Sequence, residues 1–215
     1  IFVRKADGKQ IPQRVVSRLA MYYRVLSQLE KGGVERISSR ELGEMMGITP
    51  SQLRQDLSYF GEFGQQGYGY KVSYLHLEIS RILGLEKQHS MILIGVGNLG
   101  RAIASYTNFR NRGFELVGAF DVREELIGKK VDDIDIQPTT ELRAFLRQNK
   151  VDIGILTVPA SQAQQVADIL IEEGIKGIWN FAPLKLNVPE SVIVEHVHIS
   201  DSLYSLSFRL HEHFN

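Results

Sequence analysis

The chain has 215 residues, no cysteine, 43% hydrophobic and 23% charged residues, and a formal net charge of +0. This composition is typical of a globular protein with a substantial core, and the absence of cysteine excludes disulfides and thiolate chemistry. No apolar run approaches the roughly 20 residues of a membrane span, and no signal peptide is recognisable. We therefore expect a cytoplasmic protein with no membrane association.

The charges are unevenly distributed along the chain. Residues 1–75 contain 11 Lys/Arg against 7 Asp/Glu, a balance of +4, and the remainder contains 14 against 18, a balance of −4. A basic amino-terminal module joined to an acidic body is expected when one end of a protein binds DNA. A difference of four charges also arises by chance, so this asymmetry only favours DNA binding.

The amino-terminal segment predicts an arm followed by a helix. Residues 1–11 show no periodicity and are expected to form a mobile arm, and Pro12 suits a first helical position. Apolar residues then recur at helical spacing until Gly32 and Gly33 end the helix. These apolar residues are Val15, Leu19, Tyr22, Leu26 and Leu29. Three arginines of this helix, Arg14, Arg18 and Arg24, form either a solvated face or phosphate contacts and salt bridges.

A second helix is predicted from Ser38-x-x-Glu41, which has the spacing of a capping box. This helix is expected to bury Leu42, Met45 and Met46 before it ends at Gly47. A tight turn then leads to Thr49, a cap for the third helix, with Pro50 at its first position.

The third helix is expected to bury Leu53 and Leu57 and to present polar residues outward. Two short helices joined by a tight turn form the helix-turn-helix that reads a DNA major groove, and Arg and Gln can bond to base edges. Helical hairpins with polar exteriors also occur in proteins that never bind DNA. The residues expected to contact DNA from this helix are Ser51, Gln52, Arg54, Gln55 and Ser58.

Residues 59–70 are rich in glycine and aromatic side chains, which predicts a β-wing. The amino-terminal module is then a winged helix, whose aromatic side chains either pack within it or touch the DNA backbone. The residues of this segment expected to contact DNA are Tyr59, Gly67 and Tyr68. A further helix is expected over residues 72–83, and residues 84–90 are expected to form a linker.

The motif Gly95-x-Gly97-x-x-Gly100 follows four apolar residues and precedes a helix-compatible segment. In a dinucleotide site the first glycine allows a tight turn, the second lets the pyrophosphate approach, and the third lets the helix pack closely. The motif alone is weak evidence, and a bare strand–turn–helix is the alternative. A second apolar strand ends at Asp121, about 20 residues further on, where an acid holds a ribose hydroxyl. This context favours a dinucleotide site.

The rest of the chain alternates strands and helices, which predicts a mostly parallel sheet wound on both faces. Strands are expected over residues 114–120, 134–137, 151–158, 176–180 and 192–199, and helices over residues 140–149, 161–174 and 201–214, with Ser161 as a cap. Ligands of such sheets bind beyond the carboxyl ends of the strands. Four segments should therefore converge on one crevice, namely residues 95–100, Asp121, residues 157–159 and residues 180–183.

Residues suited to catalysis are not found where a dehydrogenase needs them. The histidines lie before the glycine motif or near the end of the chain, and none follows a central strand. The His-x-His pairs at 196/198 and 211/213 lack a nearby carboxylate cluster, so no metal site is expected. We expect a binding protein rather than an enzyme. The alternatives are an NAD-dependent oxidoreductase with an unrecognised acid/base and a coenzyme A-responsive DNA-binding regulator.

Several motifs together resemble the redox-sensing repressor family called Rex. They are LRQDLSYFG at 53–61, GYGY at 67–70, GVGNLG at 95–100, LTVP at 156–159, GIKGIWNFAP at 174–183 and LNVP at 186–189. The resemblance covers residues 11–214. It implies an α/β protein with a winged helix-turn-helix domain (1–84), a Rossmann-like domain with a doubly wound parallel sheet (85–199) and a swapped dimerisation helix (200–215).

The resemblance also implies a function and a set of residues. A homodimer would bind palindromic double-stranded operator DNA with NAD+ or no ligand, and would release it when NADH rises. NAD(H) would contact Gly95, Val96, Gly97, Asn98, Leu99, Gly100, Tyr106, Asp121, Thr157, Val158, Pro159 and Asn180.

One family feature is altered in this chain. Arg24 matches an arginine that pairs across the dimer with an acid before the swapped helix, but the aligned position is His198, with Asp201 three residues later. Either Asp201 takes this role, or the DNA-bound state is stabilised differently.

Overall fold

The polypeptide divides between Lys87 and Gln88 into two units of different architecture. The computed structural model describes residues 2–4, 10–64, 68–106, 109 and 112–214. Among these residues, no helix combines the length and the apolar character needed to cross a membrane.

Helices dominate the described part of the amino-terminal unit. They are α1 (Gln13–Lys31), α2 (Ser39–Met46), α3 (Pro50–Ser58) and α4 (Val72–Ile82). Strand β1 (Phe2–Arg4) pairs antiparallel with β2 (Gln10–Pro12), and β3 (Arg36–Ile37) pairs antiparallel with β4 (Tyr70–Lys71). The fold therefore contains the four predicted helices, with short strands that were not predicted at these places.

The apolar stripes of the four helices form one core. Leu19, Tyr22 and Leu26 of α1 pack with Leu53 of α3 and Leu75 of α4, and all five are at most 1% exposed. The prediction for α2 was wrong at Met45, which is 55% exposed. Its side chain lies on the polar side of α2, whereas Leu42 is buried and Met46 is half-buried.

The expected irregular arm was also wrong for the described residues. Val3 pairs with Ile11, and the Ile11 side chain is 2% exposed. Pro12 precedes the helix instead of forming its first turn, because α1 begins at Gln13 with Pro12 in an extended conformation.

The predicted wing differs from a self-paired hairpin. Tyr70 pairs with Ile37 and Lys71 with Arg36. Strand β4, at the end of the predicted wing, therefore pairs with β3, which precedes α2 in the chain. Arg36 Nη1 also donates a hydrogen bond to the Tyr68 carbonyl oxygen at 3.1 Å. Among the described residues of 59–69, only Gly69 forms a β-bridge, and none belongs to a strand.

The carboxy-terminal unit is built on a seven-stranded sheet. Its strands are β5 (His89–Ile94), β6 (Phe114–Asp121), β7 (Lys130–Val131), β8 (Ile134–Pro138), β9 (Ile153–Leu156), β10 (Gly177–Asn180) and β11 (Ile193–His196). They lie in the order β11-β10-β9-β5-β6-β8-β7, and only the β7–β8 pair is antiparallel. The chain moves outward from β5 in one direction and then crosses to β9 on the other side. The reversal of strand order between β5 and β9 is where ligands bind in doubly wound sheets.

Both faces of this sheet are covered. Helices α6 (Leu142–Gln148) and α7 (Ala160–Glu172) pack on one face through Leu142, Ala163 and Leu170. Helix α5 (Asn98–Ala104) lies on the other face, together with Phe109 and Trp179. Ser161 is not the cap of α7, because this helix begins one residue earlier and follows Pro159.

The last helix, α8 (Ile199–Phe214), is exposed along its described length. Its apolar face carries four large side chains that are 44–82% exposed, namely Leu203, Leu206, Leu210 and Phe214. Exposure of this face to water is unfavourable, because burial of each large apolar side chain would stabilise the protein by about 1.5–3 kcal/mol.

The capping box predicted for α2 is present in full. Glu41 N donates to Ser38 Oγ at 3.1 Å, and Ser38 N donates to Glu41 Oε2 at 2.8 Å. Replacing Ser38 with Ala should therefore lower the stability of α2 by about 1 kcal/mol, since one backbone N–H loses its acceptor. The measurement is amide hydrogen exchange of α2 in the full chain. Ser38→Thr keeps the hydroxyl and should keep most of the protection; an equal loss in both variants would contradict the capping role.

Candidate nucleotide cavity and nucleic-acid interface

The glycine motif forms a tight turn between β5 and α5. Gly95 has φ = +94°, a left-handed conformation in which a side chain would be strained, and a Cβ there would lie 2.8 Å from the Thr157 carbonyl oxygen. A Cβ at Gly100 would collide with the Gly95 carbonyl oxygen. The sequence needs glycine at both positions because α5, this turn and the end of β9 approach one another so closely.

Thr157 fixes the turn from the neighbouring strand. Its hydroxyl donates to the Gly95 carbonyl oxygen at 2.5 Å, and its backbone N–H donates to the Ile94 carbonyl oxygen at 3.0 Å. The turn therefore sits at the reversal of strand order between β5 and β9, beyond the carboxyl ends of these strands, where the sequence analysis expected ligands to bind.

Asp121 ends β6 and holds the turn from the other side. Its side chain is 5% exposed, and Oδ2 accepts a 2.6 Å hydrogen bond from the backbone N–H of Val96. Oδ1 accepts from the backbone N–H of Arg123 at 2.9 Å. Burial alone would raise the pKa of Asp121, but hydrogen bonds from Arg123 and from the two backbone N–H groups outweigh it, so the pKa lies below its usual value. The carboxylate is therefore charged at neutral pH.

These segments enclose a cavity of about 630 Å³. It brings together six predicted residues, namely Gly95, Gly97, Asp121, Thr157, Val158 and Pro159. It also contains residues that the sequence analysis missed, among them Arg123, Thr139, Thr140, Gln162 and Gln165. Thr139 and Thr140 follow the carboxyl end of β8 directly, which was the available signal for them.

Other predicted cofactor residues lie outside the lining of this cavity. Asn180 is fully buried; its amide donates to the Leu184 carbonyl oxygen at 2.9 Å and lies 3.0 Å from His196 Nδ1. Burial lowers the pKa of His196, so it is expected to be neutral at pH 7. Tyr106 is 48% exposed and packs edge-on against Phe109. The fourth converging segment, residues 180–183, therefore does not join the cavity.

The cavity has the features that a dinucleotide needs. A Cβ added at Gly97 would meet nothing within 4 Å, so bare backbone faces open space there. Asn98 and Leu99, the first residues of α5, are exposed beside it, and Val96 is buried. Backbone N–H groups at the start of a helix favour anions, and a charged carboxylate suits a ribose hydroxyl.

In the amino-terminal unit, α3 is anchored by a buried carboxylate. Asp56 is 0% exposed and accepts hydrogen bonds from Arg18 Nη2 at 2.7 Å, Tyr22 Oη at 2.6 Å and Gln52 Nε2 at 2.9 Å. Burial alone would raise the pKa of Asp56, but these hydrogen bonds and the charge of Arg18 hold it below its usual value. Sequence reasoning missed Asp56. The available signal was its place between Leu53 and Leu57 on the buried face of α3.

Two of the residues predicted to contact DNA belong to this cluster. Gln52 was expected to face outward, but it is half-buried and bound to Asp56. For Arg18, the sequence left open a phosphate contact or a salt bridge. The structure contains the salt bridge, since the Arg18 guanidinium donates to both carboxylate oxygens of Asp56. Arg18 uses Nε and Nη2, and Gln52 uses Nε2, to bind Asp56.

The remaining predicted contacts are mostly at the surface. Arg14, Ser51, Arg54, Gln55, Ser58 and Tyr68 are exposed, and Tyr59 is half-buried. Arg54 donates to Ser39 Oγ at 2.9 Å, which directs its guanidinium across the face of α3 toward α2. Gly67 lies outside the described residues.

The three predicted switch residues are also exposed. Arg24 on α1 makes no ion pair with any described residue, and His198 and Asp201 flank the start of α8. The Asp201 N–H donates to the His198 carbonyl oxygen at 3.1 Å, and the His198 ring stacks in parallel with that of His196 at 6.3 Å. Within the described part of the chain, no three His, Asp or Glu side chains form a group that could hold a metal ion.

Comparison with known proteins agrees with this division of the chain. A family model described as "Putative DNA-binding protein N-terminus" matches residues 10–58, and one described as "CoA binding domain" matches residues 86–184. The redox-sensing transcriptional repressor Rex of Thermoanaerobacter pseudethanolicus is 51% identical over 203 residues, covering 94% of this chain and 91% of the relative.

Two crystal structures of the Rex-family repressor RSP are similar over nearly their whole length. The complex of RSP with β-NADH superposes with a TM-score of 0.88 at 48% identity, covering 94% of this chain and 95% of RSP. The complex of RSP with β-NAD+ and operator DNA gives a TM-score of 0.89 at 51% identity, covering 94% of this chain and 93% of RSP.

The Asp56 cluster predicts how stability depends on substitution and on pH. Asp56→Asn should lower the free energy of unfolding of the amino-terminal unit by about 2 kcal/mol, because Arg18 then faces a neutral partner. The folded pKa of Asp56 lies below the unfolded value of about 3.9, so its stabilisation is complete above that value and is lost as the pH falls through the folded pKa.

The measurement is urea unfolding of the full chain at pH 7 and pH 3, followed by the amide resonances of α1 and α3. Glu44→Gln is the control, because Glu44 lies 4.0 Å from Arg40 and both side chains are exposed. This control should change stability by less than about 0.5 kcal/mol. A pH dependence that is the same in Asp56→Asn and in the natural chain would contradict the assignment.

Proposed function

Since the chain belongs to the Rex family of redox-sensing transcriptional repressors, we propose that it represses transcription in response to the NADH/NAD+ ratio. The observation that carries the proposal is that one chain contains both a helix-turn-helix and a glycine turn that is hydrogen-bonded to Asp121. The protein would bind operator DNA when NADH is low and release it when NADH binds. Because it acts on DNA, we place it in the cytoplasm.

The carboxy-terminal cavity would hold NAD(H). The pyrophosphate would lie against residues 95–100, where the backbone at Gly97 is bare, and the adenosine ribose would lie at Asp121. The nicotinamide would lie toward residues 157–159. Tyr106 and Asn180, which do not line the cavity, would provide further contacts at the nicotinamide end of the dinucleotide. The protein would respond to whether the bound dinucleotide is oxidised or reduced.

The charge of the nicotinamide gives a physical basis for discrimination. The ring is positive in NAD+ and neutral in NADH, so a poorly hydrated pocket favours NADH, since burial of an unpaired charge is costly. If NADH fits only a dimer whose recognition helices are misplaced for the operator, NADH and DNA must weaken each other's binding.

The exposed apolar face of α8 supports a homodimer. Four large apolar side chains on one helical face are left to solvent in the isolated chain, and a partner chain would bury them. A two-fold dimer with two recognition helices predicts a palindromic operator whose half-sites are spaced by whole turns. Arg24 would pair across the dimer with Asp201, or with His198, in the DNA-bound state.

Within the amino-terminal unit, Arg54 and Gln55 would read base edges, with Ser51 and Ser58 beside them. Arg14, Tyr59, Gly67 and Tyr68 would contact the backbone of the DNA. Arg18 and Gln52 would act indirectly by holding Asp56, and thereby α3, in place.

We propose a regulator rather than an enzyme, because the relatives are repressors and the described residues that line the cavity include no histidine, lysine or tyrosine for general acid/base catalysis. The match of residues 86–184 to a coenzyme A-binding domain supports a second candidate ligand, in which coenzyme A replaces NAD(H) in the same cavity. Asp121→Ala should weaken NADH strongly if NADH is the ligand.

The direct test uses a palindromic duplex selected by the protein from random-sequence DNA. Fluorescence anisotropy of the labelled duplex should report release as NADH is added, with NAD+ far less effective. No release at any NADH concentration, or equal release by both nucleotides, would contradict the proposal. Steady oxidation of NADH with a cell-extract substrate would favour an oxidoreductase instead.

Arg54→Ala should separate DNA binding from nucleotide binding. The affinity for the selected duplex should fall about 10- to 100-fold, because one bidentate base contact is lost, while NADH affinity stays unchanged. Arg81→Ala is the control, because Arg81 is tied to Glu78 and Glu86 on the exposed side of α4. Parallel loss of DNA and NADH binding in Arg54→Ala would indicate misfolding and remove the assignment.

A further inference from the structure

The strand that leads into α8 is held at its end by a contact between two side chains. Strand β11 lies at the edge of the sheet and pairs in parallel with β10, with Asn180 opposite His196. The Val197 N–H donates to the Asn180 carbonyl oxygen at 2.8 Å, and the Asn180 side-chain amide lies 3.0 Å from His196 Nδ1. Helix α8 begins two residues later, at Ile199. These contacts therefore fix the last point of the sheet before α8.

The direction of this side-chain hydrogen bond is set by the other partners of Asn180. Its Oδ1 accepts from the Ala182 N–H at 3.0 Å, and its Nδ2 donates to the Leu184 carbonyl oxygen at 2.9 Å. If the amide were turned over, its oxygen would face the Leu184 carbonyl and its NH₂ group would face the Ala182 N–H. Nδ2 is therefore the donor and His196 Nδ1 the acceptor, so the neutral His196 ring carries its proton on Nε2.

A second proton can enter the His196 ring only at Nδ1, the atom that accepts from Asn180. The protonated ring would present an N–H to the Asn180 NH₂ group, so a hydrogen bond would be replaced by a repulsive contact between two donors. The His198 ring stacks in parallel on that of His196 at 6.3 Å, and two charged rings at this distance would also repel each other. Protonation of His196 therefore opposes the geometry at the end of β11.

Charged groups on the neighbouring segments act on His196 in both directions. Among the described residues, His198 when protonated and Lys185 oppose a positive charge on His196, and Glu195 favours one. All three side chains belong to exposed residues, so water and salt screen their charges. Burial of the His196 ring is the largest effect, and its pKa consequently lies below its usual value.

We propose that the Asn180–His196 hydrogen bond is an acid-sensitive latch, which holds the end of β11 and the start of α8 while His196 is neutral and opens when Nδ1 takes up a proton. Opening frees the segment that orients α8, so the homodimer would weaken in acid; this consequence rests on the proposed function, in which α8 forms the dimer. The folded pKa of His196 lies below the unfolded value of about 6.5. The stabilisation is therefore complete above that pH and is lost as the pH falls through the folded pKa.

The first test follows the Val197 amide of the full chain at pH 7.5 and pH 5, on either side of the ordinary histidine pKa of about 6.5. Its hydrogen-exchange protection factor, corrected for the exchange rate of a free amide at each pH, should fall about tenfold at pH 5, because the neighbouring hydrogen bond is lost. In His196→Asn, the side-chain oxygen can take the position of Nδ1 and accept from Asn180 without titrating. The protection factor of this variant should be nearly the same at both pH values.

His89→Asn is the matched control. His89 is also a partly exposed histidine on a strand of this sheet, but it lies at the start of β5, with its Nδ1 3.9 Å from Asp152. This variant removes a titratable ring and should keep the full pH dependence at Val197. An equal fall in the protection factor of the natural chain and of His196→Asn would overturn the inference, as would the absence of any fall in the natural chain.

The second test measures the dimer dissociation constant by sedimentation equilibrium at the same two pH values. It should rise about tenfold at pH 5 in the natural chain and far less in His196→Asn. His211 and His213 of α8 are present in both proteins, so the difference between them isolates His196. An equal rise in both proteins would overturn the link between the latch and α8. A chain that is monomeric at both pH values would overturn the proposed homodimer instead, and the Val197 comparison would still decide the latch.

Discussion

A carboxylate can remain charged inside a protein only when hydrogen bonds replace the water that it loses, and two such groups fix the functional segments of this chain. Asp121 accepts four hydrogen bonds and so holds the glycine turn at the end of β5. Asp56 binds Arg18, Tyr22 and Gln52 and so holds α3 against α1. In each unit the segment proposed to meet a ligand is positioned by a buried charge beside it.

The two carboxylates differ in how closed their surroundings are. Asp56 lies in the core, with Arg18 only 20% exposed, which suits a fixed scaffold for a recognition helix. Asp121 faces a cavity, and its partner Arg123 has a side chain that is 43% exposed. The helix-turn-helix is therefore held by an ion pair within the core, whereas the ion pair beside the cavity is open to solvent on its arginine side.

Much of this arrangement is predictable from the sequence, because helix caps and glycine turns are local. The capping box at Ser38 and the tight glycine turn between β5 and α5 were confirmed in geometry. Asp56 was missed because a polar residue on a polar helix is expected to face outward, and its partner Arg18 is 38 residues away. The pairing of Ile37 with Tyr70 was missed because a two-residue strand has no periodicity. The predicted burial of Met45 was wrong because the buried face of α2 is narrower than the distribution of its apolar residues suggested.

The central claim is that one chain couples a nucleotide to DNA. It is tested most directly by measuring the NADH dissociation constant with and without a saturating concentration of the selected duplex. Coupling is reciprocal, so DNA should weaken NADH binding by the same factor by which NADH weakens DNA binding, and couplings of this kind are typically about 5- to 150-fold. An NADH affinity that is the same with and without the duplex would contradict the account.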